Sequence, residues 1–352
     1  MESSLVSILI PNYNKAPYLA ETLNSVLAQT YTNWECIIVD DRSTDGSFAI
    51  MEKYGAKDAR FKIFKRPAHL PKGGNVCRNY ALEVSKGEYI QWFDSDDLMM
   101  SSLVLERLAF IHSNPNKDFV VSSGIKFFDY VGDSEIVFSH VFYKNTEIES
   151  FISLDPAWLT QSCMFKRSFL IDNNILWEES LTILQDVHYD LKSALAANSI
   201  GHLNEKFDWC WRWHKSGRNT GAQRANIENL PTFKSLVKYF SSLCQSNPTR
   251  GFYLNKGCYE LIKSTHSIFG FKWFKDFYFD SINVLSLSFF KKCFLISNVY
   301  LLLIVCNFIP SINTFVVKSI ISLNRRVLLG NFKHVKIFNT KSLSDFKLII
   351  SD

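Results

Sequence analysis

Three carboxylates crowd into four positions at Asp94-Ser95-Asp96-Asp97. Such groups repel one another unless water or a cation relieves them, and a hard divalent ion does so while bridging carboxylates to substrate phosphates. The plainer alternative is a solvated turn whose Asp caps the next helix. Position favours the first reading, because the cluster ends an apolar run, and two earlier apolar runs end in the same manner. Pro11-Asn12-Tyr13-Asn14 follows Ile10, and Asp40-Asp41-Arg42-Ser43-Thr44-Asp45-Gly46 follows Val39. A carboxylate at Asp41, held against an apolar wall, can accept the imide hydrogen of a uracil, while Ser43 to Gly46 read as the cap of the following helix. Lys72-Gly73-Gly74-Asn75, with Arg78 and Asn79 one turn further on, forms an amide-rich helix entry suited to an anion.

The elements that must position these groups alternate strand and helix. Leu5 to Ile10, Trp34 to Val39, Phe61 to Phe64 and Tyr89 to Phe93 read as strands, and Ala16 to Gln29, Ser47 to Tyr54 and Asn75 to Lys86 as the helices between them. This βαβ rhythm predicts an α/β fold with a mainly parallel central sheet flanked by helices, in which ligands bind at the carboxyl ends of the strands. Further strands are expected at Phe119 to Ser123, Ile136 to Phe142 and Thr160 to Phe165, with a helix from Asp186 to Asn198. From Phe207 to His214 the chain alternates: Phe207, Trp209, Trp211 and Trp213 share one face, and Asp208, Cys210, Arg212 and His214 the other, as in a half-buried strand.

Composition bounds the rest. The 352 residues are 47% hydrophobic and 21% charged, which excludes wholesale disorder. The eight cysteines are scattered without a CxxC pair, so neither a zinc knuckle nor a disulfide framework is indicated. Met1 to Ser4 leads directly into an apolar strand rather than a signal segment, and the catalytic part is therefore expected to face the cytoplasm. The net charge of +5 divides unevenly: residues 231–352 carry 16 Lys and Arg against 5 Asp and Glu, or +11, and residues 1–230 carry 23 against 29, or −6. Nucleic-acid binding would rest on the basic tail alone, which holds no recognisable module, so none is expected.

The segments LVSILIPNYNKAPYLAETLNSVLAQTYTNWECIIVDDRSTDGS and GGNVCRNYALEVSKGEYIQWFDSDD together resemble the family 2 glycosyltransferases of the GT-A fold. The match is dense over the first 110 residues or so and reduces to isolated motifs up to about residue 215. The resemblance implies a catalytic domain over residues 1–225, with a nucleotide-binding half to about 115 and an acceptor half from 116. It also implies a nucleotide-sugar donor, a divalent metal (Mn²⁺ or Mg²⁺) and inversion at the anomeric carbon. Carried over by motif, Pro11, Tyr13 and Asn14 cradle the nucleoside, Asp41 meets the base and Arg78 lies beside the nucleotide. Asp94 and Asp96 form the DxD motif, Asp96 as direct metal ligand and Asp94 as ribose or water-mediated partner. Trp177-Glu178-Glu179 and Leu184-Gln185-Asp186 resemble the segment that supplies the catalytic base; Gln185 stands where Glu is frequent, which leaves Asp186. Arg212 and His214 resemble the basic cluster that closes over the diphosphate. Without the resemblance, Asp186 is equally a carboxylate stabilised by a helix dipole, and His214 a structural residue beside Trp213.

Residues 226–352 are expected to form a basic, aromatic-rich and mostly helical extension. Cys293 to Val317 is free of charge but interrupted by Asn298, Asn307, Pro310 and Asn313, and basic residues flank it on both sides. That pattern fits helices lying on or re-entering a membrane better than a clean crossing, with core helices as the alternative. The expected activity is transfer from a UDP-sugar to a hydroxyl of a glycan, or of a polyprenyl-diphosphate-linked glycan, in cell-surface polysaccharide or lipopolysaccharide assembly at the inner face of the plasma membrane. A catalytically silent carbohydrate-binding or scaffold module of the same fold is the alternative, resting on Gln185. A nucleotidyltransferase would need a GxGxR-like loop after the first strand and a dehydrogenase a GxGxxG, and neither is present.

Overall fold

The computed structural model describes residues 4–139, 146–214, 230–246, 250, 253–257 and 341–342. The chain divides into two compact units, one made of residues 1–144, 157–215 and 339–352, the other of residues 145–156 and 216–338.

The first unit begins with the expected rhythm: β1 (Val6–Asn12), α1 (Ala16–Leu27), β2 (Trp34–Asp40), α2 (Ser47–Lys57), β3 (Phe61–Lys65), α3 (Gly74–Val84) and β4 (Tyr89–Trp92). These strands lie parallel in the order β3-β2-β1-β4. β2 is buried at all seven positions, as a strand covered on both faces must be, and so reads as an apolar run. α1 packs Leu19, Thr22, Leu23 and Val26 inward at helical spacing, with Pro17 in its first turn, where a missing N–H costs nothing. Pro11 lies on β1 beyond the last β4 pair, Leu9 with Trp92, so the sheet tolerates it.

The second half of the sheet is antiparallel in most of its pairings, so the whole is mixed. β5 (Leu98–Met99) and α4 (Leu103–Ser113) precede β6 (Phe119–Phe127) and β7 (Ile136–Phe138); β8 (Cys163–Lys166), α6 (Arg167–Asp172), α7 (Gln185–Ala196), β9 (Ile200–Arg212) and β10 (Lys341–Ser342) follow. β8 joins β4 antiparallel and links the halves, while β9 runs parallel to β6 and antiparallel to β5. The β6–β9 pair shifts register near Ser123 and Gly124. Gly124 is required there because a Cβ would lie 2.1 Å from Cε2 of the fully buried Trp209. The polar face of β9 is buried, with Asp208 and Arg212 under 5% exposed: the Asp208 carboxylate meets the buried Arg107, and the Arg212 guanidinium packs over Tyr18 and Phe127 and donates to the Asp96 carbonyl.

In the second unit, α5 (Glu147–Ile152) opens with a capping box between Thr146 and Glu149. α8 (Leu230–Ser246) buries Leu236, Phe240 and Cys244 at four-residue spacing. Lys256 and Asp155 form a buried ion pair at 3.2 Å. Among the described residues no helix is long and apolar enough to cross a membrane. Residues 140–142 of the strand expected at Ile136 to Phe142, and the segment Cys293 to Val317, lie outside the described residues.

Candidate active site

Register brings the polar strand ends together. Asn12 pairs with Asp40 across β1 and β2, and its Nδ2 donates to Asp40 Oδ1 at 2.9 Å and to Ser43 Oγ at 3.2 Å. Asn14, in the left-handed region at φ 51°, donates its backbone N–H to Ser43 Oγ and accepts from Thr44 N through Oδ1. Its side chain thereby fixes the β1 and β2 loops to one another. Tyr13 is 43% exposed, and the Lys72 ammonium lies 4.1 Å over its ring and 3.0 Å from its hydroxyl.

Asp41 is buried, and its two oxygens serve different elements. Oδ1 accepts from Nε of the buried Arg66, and Oδ2 accepts from Gly73 N at 3.0 Å. The second bond fixes the N-cap residue of α3, Gly73, which sits at φ 155°, a backbone geometry that L side chains rarely adopt. One turn into that helix, Arg78 donates to Asp94 Oδ1 at 2.7 Å and lies 4.3 Å over the ring of Trp177.

The acidic loop after β4 is held from several sides. Gln161 Nε2 donates to Asp94 Oδ2 and Asp97 Oδ2, each at 2.8 Å. Asp97 Oδ1 accepts the backbone N–H of Arg212 at 2.9 Å, and Arg212 Nε donates to the Asp96 carbonyl at 3.0 Å. The Arg212 guanidinium is buried over Tyr18 and Phe127 and reaches Glu21 at 2.6 Å, so it holds the loop from inside. Asp96 Oδ2 meets His214 Nε2 at 2.7 Å and also receives the Lys15 ammonium. Burial works against ionisation of Asp96, yet the His214 hydrogen bond and the Lys15 charge hold its carboxyl below the usual range. Burial, reinforced by the charges of Asp96 and Asp94, pushes Asp97 well above it.

Asp186 occupies the first turn of α7 and is half-buried, and among the described residues its carboxylate has no hydrogen bond or ion pair. Its helix is joined to the rest by stacking: Tyr189 lies parallel to Trp177 at 4.2 Å and receives a hydrogen bond from Trp92 Nε1. The backbone of 177–181 is clamped to α3, with Asn75 donating to the Glu178 and Leu181 carbonyls and Asn79 exchanging two bonds with Trp177. Asp41 holds Gly73 at the entry of α3, and from Arg78, one turn into that helix, direct contacts run through Asp94, Gln161, Asp97 and Arg212 to Asp96 and His214; the helix that carries Asp186 adjoins Arg78 through the Tyr189–Trp177 stack.

Among the described residues no group of three or more His, Cys, Asp or Glu side chains is arranged to hold a metal. Both oxygens of Asp94 face Arg78 and Gln161, and both of Asp97 face Arg212 and Gln161. Asp96 and His214 remain, one carboxylate oxygen and one imidazole nitrogen side by side. Two such donors would suit a Mn²⁺ or Mg²⁺ ion, which takes oxygen and nitrogen ligands and commonly binds together with a substrate phosphate. The ammonium on Asp96 shows that the place favours a cation.

Sequence reasoning did not single out Lys15, Gln161 or Arg107. Arg107 of α4 is fully buried and donates to both oxygens of Asp208, to Gln91 Oε1, to Ser122 Oγ and to the backbone carbonyl of Gln161, whose side chain holds Asp94 and Asp97. An arginine at the buried phase of an amphipathic helix, between Val104, Leu108 and Ile111, was the available signal.

Comparison with known proteins bears on the family and the fold. The Glycosyl transferase family 2 model matches residues 7–169. An uncharacterized glycosyltransferase of Rickettsia typhi is 34% identical over 234 residues, covering 59% of this chain and 71% of that protein. Poly(ribitol-phosphate) β-N-acetylglucosaminyltransferase TarS of Staphylococcus aureus (strain Mu50) is 29% identical over 204 residues, 57% of this chain. The alignment spans 34% of TarS. The crystal structure of S. aureus TarS 1-349 in complex with UDP-GlcNAc superposes with a TM-score of 0.65 at 19% identity, covering 96% of this chain and 95% of that one. The mannosyltransferase PcManGT of Pyrobaculum calidifontis, solved with GDP-Man and Mn²⁺, gives 0.50 at 16% identity, covering 92% and 86%. The α/β architecture, with its mixed sheet and flanking helices, is thus of the GT-A type, and the chain belongs to glycosyl transferase family 2.

Proposed function

We propose that this glycosyltransferase is metal-dependent and inverting, and moves a sugar from a UDP-sugar to a hydroxyl of a glycan or lipid-linked glycan in cell-surface polysaccharide assembly. The observation that carries the reading is that Asp41, which holds the entry of α3, and Asp96 with His214, reached from Arg78 of the same helix through Asp94, Gln161, Asp97 and Arg212, lie at strand ends of one sheet. The relatives that act on poly(ribitol-phosphate), and the neighbour solved with UDP-GlcNAc, support a UDP-sugar and a cell-surface polymer.

Asp41 accepts from the base while its other bonds hold the α3 entry. Arg78 orients Asp94 toward the ribose, and Lys72 with Tyr13 faces the nucleoside from the solvent side. Asp96 and His214 would hold the divalent ion, which offsets charge on the departing diphosphate when bound. Asp186 takes the proton from the acceptor hydroxyl as that oxygen attacks the face opposite the leaving group, and among the described residues no hydrogen bond competes for its carboxylate. Release of UDP tests this. Turnover with Mn²⁺ should fall at least a hundredfold in Asp96→Ala and in Asp186→Asn, and wild-type rates in both variants would refute the assignment.

The basic tail supports a position at the inner face of the plasma membrane, where anionic lipid attracts Lys and Arg. The full-length protein should sediment with anionic vesicles at low salt, less so at high salt, and not with neutral vesicles. Equal behaviour with both vesicle types would remove the membrane from the account.

A further inference from the structure

Lys15 has no part in the reading above, yet its ammonium occupies the Asp96 carboxylate. Its backbone cannot withdraw. The Lys15 N–H donates to Ser47 Oγ at 3.0 Å, and its carbonyl accepts from Tyr18 N and Leu19 N at 2.9 Å, the first bonds of α1. Only the side chain is free to swing, and at 32% exposure it comes from the solvent side, whereas Asp96 and His214 are 13% and 11% exposed and form the inner wall. Among the described residues, Arg78 and Arg212 also reach the acidic loop, and both have further fixed partners. Arg78 binds Asp94 and stacks on Trp177, and Arg212 binds Glu21 and the Asp96 backbone.

Lys15 and His214 meet the same oxygen of Asp96, Oδ2. A divalent ion bound there at about 2.1 Å would lie within a few ångströms of the ammonium, too close for two cations to share one carboxylate without strong repulsion.

We propose that Lys15 is a built-in counter-cation for Asp96, mutually exclusive with the divalent ion, so that metal enters only as the lysine side chain swings out. The proposal rests on the reading that Asp96 and His214 hold the ion. In the metal-free enzyme the ammonium neutralises the one acidic-loop carboxylate that neither Arg78, Gln161 nor the Arg212 N–H serves. When the ion arrives, the displaced ammonium remains tethered beside it, on the side from which the donor's diphosphate must approach. Lys15 is thus a positioning residue for the cation seat, and it sets the metal concentration at which the enzyme loads.

The test is direct Mn²⁺ binding to the full-length protein without nucleotide, by calorimetry and by the spin-resonance signal of free Mn²⁺. Wild type is compared with Lys15→Met, Lys15→Gln, Asp96→Asn and the Lys15→Met/Asp96→Asn double variant. Both Lys15 variants should bind Mn²⁺ at least tenfold more tightly than wild type, and Asp96→Asn should abolish the gain. Two neutral replacements keep the result readable if one of them folds poorly, since the backbone bonds of residue 15 do not depend on its side chain. Unchanged or weaker binding in the Lys15 variants, with binding still lost in Asp96→Asn, would overturn the role of Lys15 and leave the cation seat intact. Equal binding in wild type and Asp96→Asn would overturn the seat itself.

Discussion

Asp186 and Asp190 lie one turn apart on α7, yet their surroundings differ. Asp186 is half-buried and open; Asp190 is 1% exposed and accepts from Thr160 Oγ1 at 3.1 Å. Burial, and next the charge of Asp186, pushes the Asp190 carboxyl well above its usual range. Above the unfolded value of about 3.9, the folded state therefore keeps a proton that the unfolded state has lost. Stability falls as pH rises through that window, by up to about 1.4 kcal/mol per pH unit until the folded pKa is passed. Asp190→Asn removes the slope. Urea unfolding at pH 5 and pH 7 should show the variant gaining on wild type at the higher pH, and a gap that does not change with pH would contradict the assignment. At this scale the sequence told much about Asp41, Asp94 and Asp96, whose clusters are contiguous, and little about Lys15, Gln161 and Arg107. The partners of these three lie 81, 67 and 101 residues away, and no local pattern announces such a bond.

The parallel strands β1 to β4 were legible to within about two residues, β1 and β2 because burial on both faces leaves a mostly apolar run, and β3 and β4 from their aromatic and β-branched residues. The antiparallel half was harder. β5 has two residues, α4 went unread, and β6 carries buried Ser122 and Ser123 in mid-strand because they satisfy the polar network around Arg107 and Ser139. That network ties α4 to β4, β6 and β9 and holds up the acidic loop through Gln161. Arg107→Met would leave the Asp208 carboxylate buried without its guanidinium, a loss of about 3–5 kcal/mol. The Arg107→Met/Asp208→Leu double variant should recover much of it, because both charges are then gone. Chemical unfolding decides: a single variant within about 1 kcal/mol of wild type would show that the network is not a structural support.

Across the whole chain, an acidic front of −6 precedes a basic remainder of +11, and the chemistry sits in the front. Three carboxylates of the site each meet a cation: Asp41 meets Arg66, Asp94 meets Arg78, and Asp96 meets Lys15 and His214. Under the proposed function, a polyanionic donor binds such a site tightly only when a cation is supplied with it. The most direct measurement is therefore UDP affinity with and without Mn²⁺, in wild type, Asp96→Asn and Asp186→Asn. Mn²⁺ should tighten UDP binding at least tenfold in wild type and in Asp186→Asn but not in Asp96→Asn. Equal tightening in Asp96→Asn would contradict the account.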